Sequence, residues 1–93
     1  MQFMIHCLDN PGHAEVRLSN RGAHLAHLDA HAANLIMAGP LLSDDGRSMI
    51  GSLLLMEFAD RAAADRFCAA DPYGKAGLFR SVAITPWRKV LPK

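Results

Sequence analysis

LIMAGPLLSDDGRSMIGSLLLMEF, residues 35–58, reads as two strands joined by a polar turn. The first strand, residues 35–42, is apolar almost throughout, and Ser43-Asp44-Asp45-Gly46-Arg47-Ser48 interrupts it with turn-forming residues. The second, residues 51–58, is apolar again. Pro40 has no N–H to donate, which places its strand at a sheet edge or breaks it there. A hairpin at the middle of a short chain leaves each flank to supply one helix and one more strand.

Both flanks fit. Upstream, residues 2–8 read as a strand ended by Asp9-Asn10-Pro11-Gly12, and residues 13–33 take on a helical period. Leu18, Leu25, Leu28 and Ala32 fall on one side of that helix with Ala14, so this stripe is predicted to face the core. Gly22 costs about 1 kcal/mol relative to Ala inside a helix and marks the one weak point of the stretch. Downstream, Asp60 can cap a second helix running from Arg61 to about Ala70. Asp71-Pro72 stops it, because the residue before proline is pushed out of the α region. Tyr73-Gly74-Lys75-Ala76-Gly77 reads as a turn or a single helical turn, and residues 78–90 as a last strand with Pro86 at an edge or irregularity. The order β-α-β-β-α-β predicts a single α+β domain over residues 1–93. Its architecture is the ferredoxin-like split βαβ arrangement, with both helices on one face of an antiparallel sheet.

The strands do not alternate cleanly between apolar and polar. Phe3, Ile5 and Cys7 point one way from the first strand, while Met4 and Leu8 flank His6 on the other. The third strand sets Leu53 and Leu55 against Leu54, Met56 and Phe58. A sheet with one wet face shows polar residues there, and this one does not. Two helices cover one face only, so a second copy packing sheet to sheet is expected to cover the other, giving a homodimer.

Ten Lys/Arg against nine Asp/Glu leave a net charge of +1, which offers no footprint for nucleic acid or an anionic membrane. No apolar run approaches the roughly 20 residues that span a bilayer. Met1 leads straight into a strand with no basic leader, and Cys7 and Cys68 stand alone. These features predict a protein of the reducing cytoplasm.

Five histidines invite a metal reading, three of them (His24, His27, His31) on the first helix. A zinc site needs three or four ligands, and this helix lacks the H-E-x-x-H arrangement, so neither a metal nor a cofactor is expected. His27 lies away from the Leu stripe and is read as solvated. His24 sits at the edge of that stripe with Arg17 seven residues earlier on nearly the same line. A half-buried imidazole there can serve as a base near neutral pH, or can simply bond a backbone carbonyl. Asp71 is either a helix-end residue or, if it turns toward His24, the group that orients its ring. Spacing does not choose between these readings. Glu57 is read as structural, and the two cysteines as small buried apolar residues.

Arg17-x6-His24-Leu25, Ala38-Gly39-Pro40, Gly51-Ser52, Asp71-Pro72-Tyr73 with Ala76-Gly77, and Pro86-Trp87 together resemble the YciI-like (YCII-related) proteins. The resemblance spans nearly the whole chain. It implies a protomer of the dimeric α+β barrel superfamily with a His–Asp pair in a pocket between helix and sheet. One branch of the family removes chloride from a chlorinated hydroxyquinol, and muconolactone isomerase is a more distant relative. Carried over, the pair falls on His24 and Asp71, and the substrate-binding positions on Arg17, Gly39, Pro40, Ser52 and Tyr73. The resemblance thus implies a cofactor-independent lyase or isomerase acting on a small molecule; a non-catalytic dimeric ligand-binding or accessory protein is the alternative. The loop at residues 43–50 is shorter than in many members, and His27 and His31 have no counterpart in the family pattern.

Overall fold

The computed structural model describes all 93 residues. Four strands form one antiparallel sheet: β1 (Gln2–Asp9), β2 (Leu35–Leu42), β3 (Met49–Glu57) and β4 (Phe79–Trp87). Their spatial order is β2-β3-β1-β4. β1 pairs with both β3 and β4, and β2 pairs with β3, so the parallel partners β1/β2 and β3/β4 each skip one strand. That is the split βαβ arrangement expected from the sequence. Helix α1 (Ala14–Ala30) and a single 3-10 turn (Ala32–Asn34) connect β1 to β2. Helices α2 (Arg61–Ala69) and α3 (Pro72–Lys75) connect β3 to β4. Pro40 and Pro86 lie in β2 and β4, the two edge strands, where a missing N–H disrupts no ladder.

The register sorts the sheet into two faces. Phe3 opposite Met56, Ile5 opposite Leu54 and Cys7 opposite Ser52 point toward the helices. With Leu28 from α1 and Ala64 and Phe67 from α2, the apolar members of these pairs form the core. Met4 opposite Leu55, and His6 opposite Leu53 and Ala83, point away from the helices. On that face Met4, His6, Leu8, Leu53 and Leu55 are only half-buried, shielded by one another and by no covering layer.

Four expectations need correction. Helix α1 turns a different side inward: Leu18 is 68% exposed and Leu25 40%, while Arg17, His24 and Leu28 are buried. Leu28 keeps its expected inward place, polar side chains hold the other inner positions because each has a partner, described below, and Leu18 and Leu25 are displaced to the flank. The helix passes through Gly22 without interruption and ends at Ala30, the 3-10 turn taking up the residues beyond. β3 starts two residues earlier than expected, at Met49, and β4 is shorter, Phe79–Trp87. His27 is not solvated: its ring stacks on Phe67 at 4.4 Å between centroids, and its Nε2 lies 3.0 Å from the Phe67 carbonyl oxygen.

Candidate functional site

Strand β1 alternates, so Asp9 follows Phe3, Ile5 and Cys7 onto the helix side, at a point where the register with β4 shifts. There it meets Arg17, one helical turn into α1. Arg17 donates from Nε to Asp9 Oδ2 at 2.8 Å and from Nη2 to Asp9 Oδ1 at 2.9 Å, a two-pronged pair. Nη2 also donates to the Gly51 carbonyl (2.8 Å) and to Ser52 Oγ (3.0 Å). Burial works against the Arg17 charge, and the Asp9 carboxylate more than offsets it, holding the guanidinium above its ordinary value. Gly51 is needed for the close pairing of β3 with β1 here, since a Cβ there would run into the backbone carbonyl of Cys7. Asp9 is absent from the sequence-based candidates; its position in the odd-numbered series of β1, in line with the core residues, is the signal that marks it.

Seven residues beyond Arg17 on α1, His24 is 6% exposed and Asp71 4%. Their side chains meet, Nδ1 to Oδ1, at 2.9 Å. The 47 intervening residues are bridged by local chain logic. Ala70 ends α2, and Asp71 then caps α3, its Oδ1 accepting the Tyr73 N–H at 3.0 Å while Pro72 occupies the first helical position. The two positions considered for Asp71 coincide: it caps α3, and the same carboxylate meets the His24 ring. A carboxylate only accepts, so Nδ1 carries the hydrogen, leaving Nε2 as the nitrogen free to take or give a proton.

Tyr73 follows from the same short helix. Its ring stacks on His24 at 4.0 Å and 15°, and the Arg17 guanidinium carbon sits 4.8 Å from its centroid. Burial raises the Tyr73 phenol above its ordinary value, with Arg17 pulling the other way.

Between α1 and the β2–β3 hairpin lies a cavity of about 240 Å³. Arg17, His24, Gly39, Pro40, Ser52 and Tyr73 all line it, so every predicted pocket residue reaches the same space. Asp71 does not line it; it stands behind His24. The pocket positions read from sequence did not include Arg21, Leu25, Leu28, Ala38, Met49 and Leu54 on its wall. Arg21 is the instructive omission, since residues 17, 21, 24 and 28 recur at the spacing of one helical face. The hairpin loop before Met49 is held by its own hydrogen bonds, Ser43 N–H to the Ser48 carbonyl and Gly46 N–H to the Ser43 carbonyl, with Gly46 at φ 75°.

His27 and His31 lie outside this cavity, their rings meeting edge-on at 4.8 Å beside Phe67. No third metal-ligating side chain joins them. Cys7 is buried as expected, whereas Cys68, on α2, is only half-buried; both are unpaired, and burial pushes both thiols up to about 12, which leaves them protonated at neutral pH. No helix is long and apolar enough to cross a membrane.

The chain is similar over nearly its whole length to known proteins. Protein YciI of Escherichia coli O6:H1 is 35% identical over 97 residues, covering 97% of this chain and 99% of that protein. A protein of Haemophilus influenzae, described as uncharacterized, matches to the same extent. Among solved structures, the 5-chloro-2-hydroxyhydroquinone dehydrochlorinase of Burkholderia phenoliruptrix AC1100, in complex with 2,5-dihydroxybenzoquinone, superposes with a TM-score of 0.87. It shares 37% identity, with 95% of this chain and 94% of that one covered. A Pseudomonas aeruginosa protein with a TM-score of 0.57 at 18% identity shares the fold alone. The YCII-related domain matches residues 1–88, and the chain belongs to that family.

Proposed function

We propose that this protein is a small-molecule enzyme of the lyase or isomerase type, in which His24 moves a proton of a substrate bound in the cavity. The observation that carries the reading is the His24–Asp71 pair: a buried imidazole with Nδ1 committed to a carboxylate and its ring exposed to a cavity wall. Asp71 orients the ring and stabilises the imidazolium formed when Nε2 takes a proton. Tyr73 holds the ring from its face. Ser52 Oγ accepts from Arg17, so its own hydrogen is left to donate to negative charge developing on the substrate. The solved relative named for dehydrochlorination and bound to a quinone supports a substrate of hydroxylated, enol-type ring chemistry. Loss of HCl from such a ring removes one proton and one chloride, and asks the protein for a base, an orienting group and an oxyanion donor.

The test is incubation with 5-chloro-2-hydroxyhydroquinone and with unchlorinated hydroxylated rings, following chloride release and deuterium uptake from solvent by NMR. His24→Ala is expected to abolish both, and circular dichroism should show it still folded, although loss of the buried partner of Asp71 lowers its unfolding temperature. Turnover that survives this substitution sinks the reading. Binding without conversion of any compound by the unmodified protein would favour the ligand-binding alternative instead.

We propose further that two copies pair through the uncovered sheet face and that the dimer works in a reducing, cytoplasmic setting. Supporting this are the contiguous apolar side chains of Met4, Leu8, Leu53 and Leu55, together with two cysteines left as thiols. Light scattering at micromolar concentration is expected to give twice the mass of the 10.1 kDa chain.

A further inference from the structure

The cavity wall contains two arginines, and their circumstances differ. Arg17 is matched by Asp9 and is further tied to Gly51 and Ser52. Arg21, one turn along α1, lines the same cavity but makes no ion pair and no side-chain hydrogen bond. No Asp or Glu lines the cavity, and the two carboxylates nearest its machinery, Asp9 and Asp71, are already engaged. The site thus carries one positive charge that the protein leaves uncompensated, on a long side chain at the solvent side of the wall. Its field extends inward as far as the Tyr73 phenol, where Arg21 adds to the pull of Arg17. An exposed helix arginine is ordinarily just solvated; this one stands beside a cavity that holds a base and an apolar wall of Leu25, Leu28 and Leu54. A ligand seated there meets an apolar wall, an imidazole within and an exposed guanidinium, and the flat ring is the ligand class the proposed function already assigns to this cavity.

We propose that Arg21 determines the charge of the ligand: the cavity selects a flat ring already ionised as an enolate or phenolate, with Arg21 pairing its outer oxygen. The guanidinium presents its donors in a fork, so it can hold two oxygens of a vicinal or vinylogous acid together. The inference rests on the cavity being the ligand site, and not on His24 acting as a base.

The probes are 2,5-dihydroxybenzoquinone, which is an anion at neutral pH, and its neutral dimethyl ether, with binding measured by calorimetry. Wild type is expected to favour the anion. Arg21→Gln should weaken anion binding by roughly five- to tenfold, the scale of one charge-assisted bond at a partly exposed site, and leave the ether unaffected. Arg21→Lys should recover part of the loss, and the salt dependence of anion binding should shrink in Arg21→Gln. Equal binding of the anion by wild type and Arg21→Gln, or a wild-type preference for the ether, overturns the proposal. His24→Ala separates it from the catalytic reading: that variant should lose turnover while its anion binding keeps its dependence on Arg21.

Discussion

Asp71 places two donors on one oxygen, the His24 ring and the Tyr73 amide. Asn caps a helix about as well as Asp but brings no negative charge, so Asp71→Asn divides the two duties. Its thermal stability should stay within about 1 kcal/mol of wild type. Its kcat should fall by about 10²- to 10⁴-fold, because a neutral partner stabilises the imidazolium poorly. A stopped-flow or NMR assay on any converted ring reads this directly. Asp9 is the contrasting case, structural rather than chemical. Asp9→Ala strands a buried guanidinium, which should cost about 3–5 kcal/mol in urea unfolding. Adding Arg17→Met to Asp9→Ala should restore much of that loss, since an apolar side chain has no charge to leave unpaired. Gly51→Ala drives a methyl group into the Cys7 carbonyl and should cost about 1–3 kcal/mol by the same measurement.

Among the elements, α1 separates what sequence could and could not say. Leu28 packs in the core at 7% exposure and Leu18 stands in solvent at 68%. Leu28→Ala should therefore destabilise by about 2–4 kcal/mol and Leu18→Gln by less than about 0.5 kcal/mol, measured by denaturant unfolding. A hydrophobic count alone ranks the two equally. Periodicity located the helix within a few residues, and the turn residues at 9–12, 43–48 and 71–77 located nearly every boundary. What periodicity misjudged was the inward direction of α1, because Arg17 and His24 look polar in isolation. Their inward placement depends on Asp9, across the turn at the end of β1, and on Asp71, 47 residues from His24, whose partnerships no helical period records. The meeting of His24 and Asp71 was legible only through resemblance. Asp9, hidden at the end of a strand, and Arg21, resembling any surface arginine, had no such help. The strands fared better: their doubly apolar character was visible residue by residue, and Pro40 and Pro86 marked both edges.

For the whole molecule, the uncovered sheet face is where the proposed pairing of two copies is tested, and the buried Cys7 and half-buried Cys68 thiols shape its response to base. Leu53 lies opposite His6 at the middle of that face. Leu53→Glu sets a carboxylate where the second copy should pack, and light scattering is expected to show the mass of a single chain. A persistent dimer would mean that the copies meet elsewhere. The alkaline limb follows from the two cysteines. Burial holds both thiols near 12 against an ordinary 9.0. The unfolded chain releases those protons from about pH 9 upward while the native chain keeps them to about pH 12. The unfolded state then binds fewer protons, so stability falls as pH rises across that window, by about 1.4 kcal/mol per pH unit for each proton withheld. Below pH 9 the contribution is complete. The Cys7→Ala/Cys68→Ala variant should start less stable at neutral pH yet decline more gently from pH 9. Tyr73, also raised by burial, keeps some slope in the variant.

The shared oxygen of Asp71 also supplies a clock for the site. The Tyr73 amide is bonded to the same acceptor that steadies the His24 ring, so an opening in which the Asp71 carboxylate swings away frees the ring and exposes this amide to deuterium exchange together. Its exchange rate then reports, without substrate or assay, how often the pair comes apart. A ligand that engages His24 and stiffens its setting would slow that single amide ahead of its neighbours.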